Sequence, residues 1–201
     1  SFTSKNIPNF TINPSQVLDS GSYTCEVTDD TGGPTTSSPV TVTVNALPNV
    51  VASASQTVVC AGDSVTLTGS GAISYSWDNG FLINTNPVSF FATTKTTYTV
   101  TGTDANGCEN TDTVTITVNP LPTTPTTTVT QPTCSVATGS INFSGLPTTG
   151  GNWTINTLPT PINGSTSTYA LTGVAPGTYN YTLTHNGCTS LPTLGVTVDN
   201  P

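Results

Sequence analysis

A chain of 201 residues with two lysines, no arginine and ten acidic residues carries a net charge of −8, and charged residues make up only 6% of it. So few cations cannot neutralise a run of phosphates or hold the chain against an anionic bilayer, which excludes nucleic acid and membrane surfaces as partner classes. No apolar stretch approaches the roughly 20 residues of a membrane span, so no membrane insertion is expected. The opening residues also lack a basic segment followed by an apolar core, so any export signal is expected outside this sequence.

Hydrophobic residues are 33% of the chain, and they are mostly Val, Ile, Leu, Phe and Tyr alternating with Thr and Ser. That period of two predicts half-buried strands, whereas a disordered tract has no reason to alternate. Five cysteines with no Cys-x-x-Cys pair, beside a single histidine, point to disulfides in an oxidising compartment and away from a metal cluster.

In chain order, the first sharp signal is Asp19-Ser20-Gly21-Ser22-Tyr23-Thr24-Cys25. The pattern Asp-x-Gly-x-Tyr-x-Cys resembles the tyrosine corner (Asp19, Gly21, Tyr23) and second cysteine of an immunoglobulin-superfamily domain, whose cysteine bridges back to an earlier strand. Only 24 residues precede Cys25, too few for those earlier strands. Residues 1–46 are therefore expected to be the C-terminal part of a truncated domain, with the partner of Cys25 upstream. An intermolecular bridge is the alternative.

The stretch Gly21–Pro48 then recurs in pattern at Thr96–Pro122 and Gly177–Pro201. Each copy is an alternating strand entered through a tyrosine, a polar turn, a second alternating strand, and then an Asn and a Pro. Tyr23, Tyr98 and Tyr179 are spaced by 75 and 81 residues, and Val44, Val118 and Val198 by 74 and 80. Two landmarks that agree to one residue indicate a true internal repeat. The copies define expected domains at 1–46, 47–120 and 121–201, joined by short stiff linkers such as Asn45-Ala46-Leu47-Pro48 and Asn119-Pro120-Leu121-Pro122.

Between these endings lie further short β runs. They are Ser64–Ser70, Ile73–Gly80 and Val88–Thr94 in the second copy, and Gly139–Gly145, Asn152–Thr157 and Ser167–Gly173 in the third. Asn106-Gly107 and Asn186-Gly187 supply the pair favoured in tight hairpins. Many short strands broken by Gly, Pro and Asn, with no helical periodicity, predict an all-β fold of tandem immunoglobulin-like β-sandwich domains in a linear array. Trp77 and Trp153 fall where a sandwich needs one large central ring; a ligand-stacking role is the alternative.

Cys108 and Cys188 follow the hairpin turns, and each has one upstream cysteine in its own repeat. The spacing therefore predicts Cys60–Cys108 and Cys134–Cys188. The difficulty is that, in a plain sandwich, the early strand and the last hairpin reach opposite ends.

The segments VVCAGDSVTLTGSGAISYSWDNG (58–80) and TTYTVTGTDANGCENTDTVTITV (96–118) resemble the immunoglobulin-like repeats of large secreted surface proteins of gliding bacteria. TQPTCSVATGSINFSG (130–145) and APGTYNYTLTHNGC (175–188) are similar to the related repeats of giant gliding adhesins. The resemblance covers residues 47–201. It implies an extracellular, cell-surface protein exported by the type IX route, whose repeats form long stalks.

Candidate chemistry is sparse. His185 is the only histidine and lies in the last hairpin, where an exposed turn residue is expected rather than a general base. Asp29, Asp30, Asp104 and Asp112 lie in or near hairpins, where Asp satisfies backbone groups; adjacent Asp29-Asp30 leaves a calcium site open. Asn-x-Ser/Thr occurs at Asn9, Asn142, Asn152, Asn163 and Asn180, as often as composition alone predicts. The abundant Thr suits strands and is also a platform for O-linked glycans.

No enzyme, cofactor or metal is therefore expected. The expected function is a non-catalytic stalk segment of a modular adhesin or gliding surface protein. Its partners would be adjacent domains of the same long polypeptide and glycan or surface ligands. Self-association into an extracellular filament is the alternative, and spacer domains of a secreted hydrolase are a weaker one.

Overall fold

The computed structural model describes residues 9–28, 32–78, 85–157 and 160–201. Asp29, Asp30 and the Asn79-Gly80 end of one expected strand lie outside these. Among the described residues the regular structure is all-β apart from one 3-10 turn, Val17–Asp19.

The first repeat holds β1 (Gly21–Tyr23), β2 (Glu26–Val27), β3 (Thr35–Thr36) and β4 (Val40–Val42). They form two antiparallel ribbons, β1 with β4 and β2 with β3. None of the described residues in this repeat is fully buried, and Leu18, Val27 and Val40 are 90%, 63% and 63% exposed. Among the described residues these ribbons leave their apolar side chains exposed.

The second repeat contributes β5 (Val51–Ala54), β6 (Val58–Cys60), β7 (Ser64–Ser70), β8 (Ser74–Trp77), β9 (Val88–Phe91), β10 (Thr96–Thr103) and β11 (Glu109–Asn119). These make two sheets, ordered β5-β7-β9 and β6-β11-β10-β8. The third repeat has β12 (Thr126–Thr130), β13 (Gly139–Ser144), β14 (Trp153–Asn156), β15 (Ile162–Gly164), β16 (Thr168–Val174), β17 (Gly177–Tyr179), β18 (Thr182–His185), β19 (Cys188–Thr189) and β20 (Val196–Val198). Its sheets are β12-β13-β16 and β15-β14-β18-β19, with the ribbon β17-β20.

By compactness the described chain divides into two units, Ser1–Ser53 with Thr68–Pro87 and Tyr98–Thr113, and Ala54–Leu67 with Val88–Thr97 and Val114–Pro201. In the first unit, Trp77 and Val100 are cross-strand partners of β8 and β10, and both are buried. Asn86 serves there in place of a neighbouring strand. Its Oδ1 accepts the Gly69 N–H at 2.7 Å and its Nδ2 donates to the Gly69 carbonyl at 2.9 Å. A side-chain amide that mimics a peptide satisfies both groups of one residue.

In the second unit the alternation read from the sequence becomes a core. Ile141 and Phe143 of β13 face Trp153 and Ile155 of β14 and Leu183 of β18, each fully buried, with Tyr181, Val196 and Val198 closing the cluster. Phe143 meets Tyr181 edge-on with ring centroids 4.9 Å apart, the geometry that opposes a positive ring edge to a negative face. Trp153 is thus a core residue, and its indole N–H donates to the Thr166 carbonyl at 2.9 Å.

Candidate functional site: a disulfide that joins two repeats

Cys60 ends β6, which runs parallel to the last residues of β11 with Cys60 opposite Asn119. The turn after it, Ala61-Gly62-Asp63, is held on both sides. The Ala61 N–H donates to the Asn119 carbonyl at 2.9 Å, and the Gly62 N–H donates to the Ala92 carbonyl at 2.7 Å. The Asp63 carboxylate accepts the Cys60 N–H at 2.9 Å. Gly62 sits at φ +92°, a conformation that side chains disfavour.

Cys188 opens β19 directly after the hairpin Asn186-Gly187, whose φ values of +50° and +77° are those of a tight two-residue turn. Its pairing partner across that turn is His185. The two cysteines are bonded, with Cα atoms 5.6 Å apart and 128 positions apart in sequence. An open groove of about 220 Å³ beside the bond is lined by Val58, Cys60, Asp63, Asn119, Asn186 and Gly187.

This bond corrects the expected pairing. The structure joins Cys60 to Cys188, and Cys25, Cys108 and Cys134 are free thiols. The reason is strand length. Cys108 directly precedes the 11-residue strand β11, whereas Cys60 is opposite the last residue of that strand, Asn119.

The third repeat repeats the problem. Gln131 accepts the Asp199 N–H at 2.8 Å and donates to the Thr197 carbonyl at 3.2 Å, which places the Cys134 turn beside the end of the last strand. Cys188 opens β19, ahead of residues 190–195 that lead into β20. In each repeat the two cysteines occupy opposite ends.

The other candidates are dispersed. Tyr23 Oη donates to the Asp19 carbonyl at 2.6 Å, closing the corner over Gly21, and the Asp19 carboxylate accepts the Gln16 N–H at 2.7 Å. Asp104 accepts the N–H groups of Asn106 and Cys108 at 2.8 and 2.9 Å. Asp112 accepts the Ala52 N–H at 2.8 Å; this bond and one from the Thr113 N–H hold its carboxyl below the usual range.

His185 differs from expectation. It ends β18 half-buried, with Nε2 enclosed and without a hydrogen-bond partner, because the Gly150-Gly151 turn passes close to the ring. Among the described residues no group of three or more His, Cys, Asp and Glu gathers as a metal site, and no helix is long and apolar enough to cross a membrane. Asn9, Asn142, Asn152, Asn163 and Asn180 are all exposed.

Two features escaped the sequence reading. Tyr179 Oη donates to the Ala175 carbonyl at 2.8 Å, the same four-residue reach as Tyr23. The acceptor is a backbone carbonyl, so Ala serves as well as Asp, and the surviving signal is the glycine two residues before each tyrosine, Gly21 and Gly177. Ser190 and Thr193 are buried polar residues whose hydroxyls accept the Leu183 and Tyr181 N–H groups, each at 2.9 Å. The Ser-x-Pro spelling shared by Ser37–Pro39 and Ser190–Pro192 marked where the ladder breaks.

No protein-family model matches this chain, and no curated protein does. Among solved structures the chain is similar to one described as the human OSCAR ligand-binding domain, at 16% identity and a TM-score of 0.33, over 76% of this chain and 98% of that one.

Proposed function

We propose that this chain is a non-catalytic stalk segment of a modular extracellular surface protein, built from immunoglobulin-like modules in series that space and present binding domains. The observation that carries the reading is the Cys60–Cys188 bond, which covalently ties the start of one repeat to the closing hairpin of the next. A cross-link at a junction restricts bending and keeps consecutive modules together under tension, which suits a spacer and does nothing for catalysis. A structural disulfide also suits an oxidising, extracellular compartment.

A second reading has its own support. The exposed apolar residues of the first repeat are suited to completion by a neighbouring subunit, as in an extracellular filament. Electron microscopy and sedimentation of the native protein separate the two. Thin single strands of one polypeptide are expected, and ordered fibres of fixed repeat would overturn the stalk in favour of the filament.

A further inference from the structure

The bonded pair defines a rule for position. Cys60 precedes buried Val65 and Leu67 by one turn and lies beside the end of its repeat's last strand. Cys134 precedes buried Ile141 and Phe143 by one turn and lies, through Gln131, beside the end of its own last strand. Cys188 follows Asn186-Gly187, and Cys108 follows Asn106-Gly107 with Gly107 at φ +79°.

Each free thiol therefore occupies the position of one bonded thiol, Cys134 that of Cys60 and Cys108 that of Cys188. Cys134 is exposed. The turn that carries it borders an open depression of about 390 Å³ lined by Thr130, Gln131, Thr133, Val136 and Gly139. The corresponding face beside Cys60 carries the hairpin of the following repeat, Asn186 and Gly187.

We propose that Cys134 forms the same inter-module disulfide with the closing-hairpin cysteine of the next module along the same polypeptide, and that Cys108 receives the first-strand cysteine of the preceding one. The disulfides then run as a ladder, one rung per junction. The inference rests on the reading of this chain as consecutive modules of a longer stalk.

Each rung forms by thiol–disulfide exchange. The Cys134 thiolate attacks a low-molecular-weight disulfide such as oxidised glutathione and releases one thiol. The hairpin thiolate then displaces the second thiol from the mixed disulfide. Two protons leave the cysteines, and the oxidant takes up two electrons to become two thiols.

The test is disulfide mapping of the native full-length protein, alkylated before digestion and never reduced. The expected result is a Cys134 peptide linked to an Asn-Gly-Cys-type hairpin peptide from outside residues 1–201, and a Cys108 peptide linked to a first-strand peptide. Cys134→Ser should then free one hairpin thiol, adding one alkylation label. An alkylated Cys134, or Cys134 bonded to Cys25, to Cys188 or to Cys108 of a second copy, would overturn the ladder. Thin single strands with Cys134 alkylated defeat the ladder and leave the stalk standing, whereas ordered fibres defeat the stalk itself.

Discussion

Tyr181 and Thr193 exchange two hydrogen bonds: the Tyr181 N–H donates to Thr193 Oγ1 at 2.9 Å, and the Thr193 N–H donates to the Tyr181 carbonyl at 2.8 Å. Cys25 and Ser37, also 12 residues apart, do the same at 2.9 and 2.8 Å. Each pair begins two residues after a corner tyrosine, so Cys25 stands in the first repeat where the core residue Tyr181 stands in the third. The hydroxyl replaces a strand carbonyl where Pro192 and Pro39 interrupt the last strand.

Removing that hydroxyl leaves a buried N–H without a partner. Thr193→Val is expected to destabilise the third repeat by about 1–3 kcal/mol, and Thr193→Ser by much less because the acceptor remains. Urea denaturation followed by fluorescence checks both. Equal losses for Val and Ser would place the cost in packing.

Gly164 lies across from Trp153 in the β14–β15 pair, and a Cβ there would come within 2.4 Å of an indole ring carbon. Trp153 is fully buried and cannot retreat without disturbing Ile155 and Phe143. Gly164→Ala is therefore expected to cost about 1–3 kcal/mol through overpacking. The near-UV circular dichroism of the tryptophan should change with it, and an unchanged spectrum at full stability would contradict the packing described.

The strands were legible because their signal is local. Val65 and Leu67 alternate with Ser64, Thr66 and Thr68, and the expected strand Ser64–Ser70 is the observed one. Gly139–Ser144 and Trp153–Asn156 likewise fall within the runs read from their alternation. The cysteine pairing was not legible, because it depends on a parallel contact between β6 and the far end of β11 that leaves no mark near Cys60. The half-burial of His185 was hidden for a similar reason. It goes with the approach of Gly150, 35 residues upstream, to the ring.

Asp112 gives the first unit an acid-sensitive contact. Its carboxylate accepts the Ala52 and Thr113 N–H groups, and its pKa is lowered from 3.8. A carboxyl with a depressed folded-state pKa contributes stability that is present above its unfolded value and is lost as pH falls through the folded value. Stability should thus decline from just above pH 3.8 downward. Asp112→Asn should remove that share of the decline while leaving the neutral-pH value only slightly lower. Identical acid limbs for the two proteins would show that Asp112 contributes nothing there.

The Cys60–Cys188 bond closes a loop of 128 residues, for which the chain-entropy relation predicts about 5 kcal/mol of stabilisation. Cys60→Ser with Cys188→Ser should lower the midpoint of denaturation, and reduction of the unmodified chain should lower it by a similar amount. The double variant should also lose its difference between reducing and oxidising conditions. The pair Cys108→Ser with Cys134→Ser makes the contrasting control within residues 1–201, because both thiols are already free, and it should unfold like the parent chain. If that control instead loses as much stability as the Cys60/Cys188 variant, the bond joins the wrong cysteines, and the pairing within each repeat would be restored.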